Sequence, residues 1–424
     1  MSARTAKLRR VATYRNSNVD KLTEEGEVPV RLCNYTDVYY HNRISATLNF
    51  MDATATPEEI AEFGLRKGDV IITKDSESPD DIGIPALVEA DLPGVLCGYH
   101  LTRIRAGSEV APEYLYYTLT SGVARGHFEV EAKGVTRHSL GQEGIGTLLM
   151  RLTGLNEQHA IAAYLDRETA RIDALVAAKE RQIVCLTEAV EGEREELVRR
   201  GVHARSALTA SGLDWRGPAP SQWRHMRLKH VLEQVVRPVE VHPELDYREI
   251  GVRSHGRGVF HKNPIPGAWL EEKQVFSVVD NCLVFNIVFA WEGAVAITTE
   301  AEREMIASHR FPLFRSRGDA CDVRYLKHLF ASGVGRPLLE FHSPGAAGRN
   351  KTLSQARLLG EWVPLPPVEE QSAIADRIEA MTVARFKARN KLECSVSLLR
   401  ERRQALITHA VTGNLRIPVE AIHA

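Results

Sequence analysis

No stretch of this 424-residue chain stays apolar for the ~18 residues that a membrane-spanning helix needs. The opening Met1-Ser2-Ala3-Arg4-Thr5-Ala6-Lys7 lacks the apolar core of a secretory signal. Both readings point to a cytoplasmic protein with no membrane partner. Cysteine is sparse: Cys33, Cys97, Cys185, Cys282, Cys321 and Cys394 are scattered, and no two form a CxxC pair. That argues against a disulfide framework or a zinc cluster, and for free thiols in a reducing compartment. Net charge is nearly absent too, at −1. It gives no global attraction to nucleic acid, although binding follows the local placement of Lys and Arg.

Catalytic signatures are equally scarce. Gly141-Gln142-Glu143-Gly144-Ile145-Gly146 lacks the lysine of a phosphate loop and the GxGxxG spacing, and reads as a turn. Asn263-Pro264-Ile265-Pro266 lacks the adjacent prolines and aromatic residue of an amino-methyltransferase loop. Asp80, Asp81, Glu89 and Asp91 resemble a nuclease metal cluster, but no lysine follows Glu89 to orient water. The sixteen histidines include no HExxH, and His159, His225, His230 and His409 read as surface or capping residues. No metal site and no cofactor site is expected in this chain.

What is present is a globular composition, 44% hydrophobic and 26% charged, in a chain long enough for several domains. It also carries a repeat. Asn156-Glu157-Gln158-His159-Ala160-Ile161-Ala162 returns as Glu369-Glu370-Gln371-Ser372-Ala373-Ile374-Ala375, about 213 positions later, half the chain and far beyond a solenoid period. Other landmarks return in order. Lys7 to Val11 matches Arg227 to Val231, and Gly68-Asp69 before an apolar strand matches Asp280-Asn281. Tyr114 to Tyr117 with Gly122 matches Tyr325 to Leu329 with Gly333, and Gly134 to Leu140 matches Gly348 to Leu353. Short strands mixed with short helices in each half predict an α+β domain, duplicated.

The expected boundaries are a first domain over 1–154, a long helix over 155–205 and a linker over 206–222, rich in Gly, Pro and Ser. A second domain over 223–366, a second long helix over 367–414 and a tail over 415–424 follow. In the helices Ile161, Leu165, Ile172, Leu175, Leu186 and Leu197 fall on steps of four and three. Ile374, Ile378, Met381, Ala388, Leu392, Leu399 and Leu406 do the same. Such a heptad seam predicts two long helices packed on each other as a coiled coil, interrupted where Glu168, Lys179 and Arg385 take seam positions.

Several basic, glycine-containing loops suit DNA, because Arg and Lys neutralise phosphates and read guanine, and Asn reads adenine. In the first half they carry Arg103 and Arg105, then Lys133, Arg137 and His138. In the second they carry Arg253 and Arg257, Arg315 and Arg317, then Arg349, Asn350 and Lys351. The ordinary alternative for each is a solvated loop.

The duplication, the phrases Leu365-Pro366-Pro367-Val368-Glu369-Glu370-Gln371-Ser372-Ala373-Ile374-Ala375 and Arg403-Gln404-Ala405-Leu406-Ile407-Thr408-His409-Ala410-Val411-Thr412-Gly413, and the linker with Trp215 and Pro220 to Trp223 resemble the DNA-specificity subunit of type I restriction–modification systems. The likeness extends over nearly the whole chain. It implies two target-recognition domains, each followed by a helix, with the helices paired antiparallel. It also implies a non-catalytic subunit that binds double-stranded DNA and docks two modification subunits, which use S-adenosylmethionine to methylate adenine. Restriction subunits using ATP and magnesium would join through the complex. On this likeness the loops before each helix, with Lys133, Arg137, His138, Arg349, Asn350 and Lys351, face DNA. The chain departs from the pattern at Met150 to Asn156, which lacks the prolines of Val363 to Glu369; Asn156 is the expected helix cap. A tryptophan matching Trp223 is also missing from the N-terminus. The competing expectations are a methyltransferase or nuclease with its own active site, and a generic coiled-coil scaffold.

Overall fold

The computed structural model describes residues 3–203, 207–270, 273–345 and 351–417. The chain divides into two units of equal length: one takes two stretches of the sequence, 1–180 and 393–424, and the other the single stretch 181–392. The division cuts through both long helices, Leu155–Arg200 and Val368–Thr412. Each unit therefore holds one globular domain, the start of the helix that follows it, and the end of the other helix.

In the first unit, Asp69–Thr73 is the centre of a five-stranded sheet, ordered Ala12–Asn16, Leu101–Ala106, Asp69–Thr73, Pro85–Val88 and Arg43–Ile44. Its run Val70-Ile71-Ile72 is fully buried, because both faces of the strand are covered. A smaller sheet orders Met51–Ala55, Val28–Cys33 and Val95–Cys97. Helix Pro112–Thr120 packs Tyr114 and Leu115 into a core shared with Ile161 and Leu165 of the first long helix and Ile407, Ala410 and Val411 of the second.

The second unit replays this frame. Leu232–Val235, Leu313–Ser316, Leu283–Phe285 and Val295–Ile297 form its antiparallel sheet in that order. Helix Val323–Ala331 packs Tyr325 and Leu329 against Leu197, Val198, Ile374 and Ile378. In both units the lead into the long helix is a strand: Leu149–Leu152 pairs with Arg4–Lys7, and Trp362–Leu365 with Arg224–Arg227. The first lead-in needs no prolines, since the strand pairing sets its direction. Asn156 does not cap the helix as expected. The helix already begins at Leu155, and the Gly154 carbonyl accepts the Gln158 N–H at 3.0 Å.

Within each unit the two helices run antiparallel. In the first, Arg403 pairs with Asp173 at 2.9 Å and Arg400 with Glu180 at 2.8 Å. In the second, Glu193 takes Arg385 at 2.7 Å and Arg377 at 3.3 Å. Ile161, Leu165 and Ile172 are buried, as are Ile374 and Ile378; Leu186, Met381, Leu392 and Leu399 are half-buried. Leu175 is 46% exposed. The covered stripe runs instead through Ile172, Val176, Lys179, Ile183, Leu186, Val190, Glu193 and Leu197, an unbroken four–three rhythm that leaves Leu175 one position off the seam. Arg385 and Glu193 hold seam positions as an ion pair.

Candidate nucleic-acid interface

Two backbone junctions define equivalent places in the two domains. Lys74 donates its N–H to the His100 carbonyl at 3.0 Å and accepts from Leu140 N–H at 2.8 Å. Ile287 repeats both bonds, to the Arg310 carbonyl at 3.0 Å and from Leu353 N–H at 2.8 Å. Each junction ties a central strand to the loop that precedes the long helix, and each borders a cleft.

The cleft of the first unit encloses about 900 Å³ and is lined by Tyr35, Tyr39, Tyr40, Asp75, Glu77, Asp81, His100 and Arg137, among others. Short strand His138–Ser139 pairs with Asp75–Ser76, and Lys133 exchanges both backbone hydrogen bonds with Ser139, at 3.1 and 2.9 Å. The intervening residues form a tight, exposed hairpin. Gly134 makes it possible: its φ is +140°, and a Cβ there would lie 1.9 Å from the Arg137 carbonyl oxygen. His100 Nδ1 sits 2.8 Å from Asp75 Oδ2 and 3.3 Å from Arg137 Nη2. It can donate to the carboxylate or accept from the guanidinium, but not both at once. Tyr39 donates to Asp81 at 2.9 Å, a bond that pushes the phenol pKa up. Tyr40 is 73% exposed, and Lys74 Nζ lies 4.6 Å from the centre of the exposed Tyr99 ring.

The second unit's cleft is about 620 Å³ and has a different chemistry, with Lys262, Lys273, Asn286, His309, Arg310 and Phe311 on its walls. Lys262 is held by Glu249 at 3.1 Å. Arg310 and His309 are exposed, and no hydrogen bond or ion pair engages the Arg310 guanidinium among the described residues. A basic pair between two apolar strands carries no spacing signature, so sequence reasoning passed over His309-Arg310.

The arginines expected at DNA are not in equivalent settings. Arg103 is 6% exposed and donates to the Glu62 carbonyl, and burial lowers its pKa. Arg105 makes a two-pronged pair with the buried Asp69, at 2.6 and 2.8 Å, which raises its pKa. Both guanidiniums are thus bound within the first domain. Arg315 and Arg317 converge on Glu233, at 2.5 and 3.8 Å. Arg253 lies 5.0 Å from the Phe260 ring centre, and Arg257 donates to the Ser254 carbonyl at 3.1 Å. Lys351 pairs with Glu340 at 2.8 Å and lies over Trp291 at 4.9 Å. Lys133 and Arg137 stand exposed on the hairpin, with His138 half-buried beside them. Arg349 and Asn350 lie outside the described residues. Among the described residues no group of three His, Cys, Asp or Glu side chains could hold a metal ion, and no helix is long and apolar enough to cross a membrane.

A duplicated α+β scaffold built on paired long helices is the class that these features define. The fold is shared with a chain in a solved structure concerned with complex assembly and conformational transition of the type I R-M system. That match has a TM-score of 0.71 at 15% identity and covers 97% of this chain and 98% of the other. The HsdS subunit from Thermoanaerobacter tengcongensis matches with a TM-score of 0.56 at 17% identity, over 97% of each chain. In sequence the chain is 25% identical over 366 residues to a protein of Methanocaldococcus jannaschii named as the specificity subunit of type I restriction enzyme MjaX, covering 85% of this chain and 81% of that relative. No protein-family profile matches. In sequence and in fold, the chain resembles the specificity subunits of type I restriction–modification systems.

Proposed function

We propose that this chain is the DNA-specificity subunit of a type I restriction–modification complex in the cytoplasm. Each globular domain reads one half of a bipartite double-stranded target. The paired helices set the unread spacer and dock two modification subunits, through which restriction and translocation subunits join. The chain carries no chemistry of its own; S-adenosylmethionine, and ATP with magnesium, act in the partners. The observation that carries this reading is the contrast between frame and cleft. Two domains share a four-strand sheet order, the same junction at Lys74 and Ile287, and the same helix lead-in, yet line equivalent clefts with different side chains. A duplicated frame with divergent clefts suits a protein that must recognise two different short sequences by one geometry.

The hairpin residues Lys133, Arg137 and His138, and their counterparts Arg349, Asn350 and Lys351, are the first DNA contacts in this proposal. Arg253, Arg257, Arg315 and Arg317 serve as phosphate contacts in this proposal, and Arg103 and Arg105, bound within the first domain, support its sheet. The test is a map of methylated adenines in cells that make the chain together with its modification subunits, against cells lacking it. A bipartite motif that vanishes with the chain is expected, and insertion of one heptad into both helices should lengthen its spacer. An unchanged methylation pattern would overturn the reading. Methyl transfer by the purified chain alone would favour an enzyme with its own site.

A further inference from the structure

We propose that Arg310 is a base-reading residue of the second domain and that it selects a guanine at one position of that domain's half-site. The inference rests on the DNA-specificity reading above and adds which side chain discriminates, and for what. Its main chain is pinned, because the Arg310 carbonyl takes the Ile287 N–H at 3.0 Å at the junction beside the cleft. Its guanidinium is the uncommitted part: it lines the 620 Å³ cleft, is exposed, and makes no hydrogen bond or ion pair among the described residues. The other second-domain arginines on the basic loops differ. Arg315 is held by Glu233, Arg253 lies over Phe260, and Arg257 donates to the Ser254 carbonyl.

A planar fork with a fixed base and free donors matches the paired acceptors O6 and N7 on the major-groove edge of guanine. Lys273 on the same walls adds positive charge that suits a flanking phosphate. The equivalent place in the first domain supports a specificity role over a shared phosphate contact. There the frame holds His100, paired with Asp75 at 2.8 Å. A contact made to phosphate by both domains would have no reason to differ so completely in charge.

The test is selection of bound duplexes from a randomised double-stranded DNA pool by the full chain assembled with its modification subunits, for wild type, Arg310→Lys and Arg310→Ala. Because Arg310 is exposed and unpaired, both variants should fold, which circular dichroism checks. Wild type is expected to require guanine at one position of one half-site. Arg310→Lys keeps the charge but loses the fork, and should relax that position by about 10- to 100-fold while the other half-site stays intact. Three results would overturn the inference: an unchanged motif, a uniform loss of affinity with the motif preserved, or a position that never required guanine. Failure of the wild-type assembly to enrich any motif would instead overturn the DNA-specificity reading itself, and this inference with it.

Discussion

Arg216 donates to the carbonyl of Val198 at 3.0 Å and to that of Arg199 at 3.2 Å, closing the last turn of the first long helix. At the matching place in the other unit, the single Tyr114 O–H is shared between the carbonyls of Arg151 at 2.8 Å and Val411 at 3.2 Å. The last carbonyls of a helix have no partner within it, so both units supply one from outside. In the second unit the tyrosine equivalent, Tyr325, is fully buried with its hydroxyl unpartnered, and the linker arginine takes over the carbonyl. Its guanidinium also lies 5.5 Å from the ring centre of Trp223, the tryptophan that has no match at the N-terminus. The added linker motif thus performs a capping task done by a hydroxyl in the first unit.

Replacing Arg216 with Ala should free both carbonyls in a buried setting and destabilise the second unit by about 2 kcal/mol. Tyr114→Phe in the first unit should cost about 1 kcal/mol. Thermal unfolding of the full chain checks both; an Arg216→Ala melt identical to wild type would remove the capping role.

Gln158 makes the first unit's helix lead-in a closed bracket. Its Oε1 accepts from Ala111 N–H at 2.8 Å, and its Nε2 donates to the carbonyls of Thr153 at 2.8 Å and Glu109 at 2.9 Å. Gln371 repeats it with Asp322 N–H at 3.0 Å and the Pro366 carbonyl at 2.8 Å. Gln158→Leu should leave a buried amide and two carbonyls unpaired, at about 3 kcal/mol. Hydrogen exchange should localise the loss to the first unit, around Ala111 and Thr153. Uniform loss across both units would contradict the bracket.

His328 gives the second unit a pH dependence. Its side chain is 4% exposed, and Nε2 stands 3.9 Å from Glu379 Oε1, too far for a hydrogen bond. Burial pushes its pKa down to about 4, Lys327 and Arg194 add to the fall, and Glu379 opposes it. An unfolded histidine titrates near 6.5, so between these values the unfolded chain holds the extra proton. The stability is fully present above pH 6.5 and is lost as pH falls toward 4, on the order of 3 kcal/mol. The equivalent first-unit residue is Tyr117, which donates to Asp166 at 2.6 Å. His328→Tyr should therefore flatten the slope of stability between pH 6.5 and 4 relative to wild type. Denaturant titrations across that range measure it, and an unaltered slope would assign the titration elsewhere.

Gly134→Ala should rebuild the hairpin of the first domain without unfolding the domain, since the loop is exposed and the clash is with its own Arg137 carbonyl. The expected result is relaxed recognition of one half-site only, read from methylation or bound-duplex motifs, with circular dichroism unchanged. An effect on both half-sites would break the one-domain, one-half-site assignment.

The repeat was legible because its marks are local: Gln158 and Gln371, the heptad steps, and Gly122 and Gly333 are read from residue type and spacing alone. Their structural roles match closely. Gly122 N–H is taken by Thr408 Oγ1 at 2.9 Å, and Gly333 N–H by Glu195 Oε1 at 3.1 Å, each from the end of the other repeat's helix. The α+β class and the seam followed from periodicity in the same way. Leu175 shows the limit, because one step of heptad phase separates a seam residue from a half-exposed one.

Which arginine is free was decided only by the tertiary structure. Arg105 and Arg310 look alike in sequence, each within two positions of another basic residue and within or near a sheet strand. Asp69, distant in sequence, holds one in a two-pronged pair, while the other faces a cleft without a partner. A side chain's charge is set by its own chemistry, but its availability depends on neighbours that folding brings from elsewhere in the chain. The sequence by itself thus determined the duplicated frame and its paired helices, whose signals are periodic and short-range. The tertiary structure decided which elements close each unit, what caps each helix, and which guanidinium stands open in the second cleft.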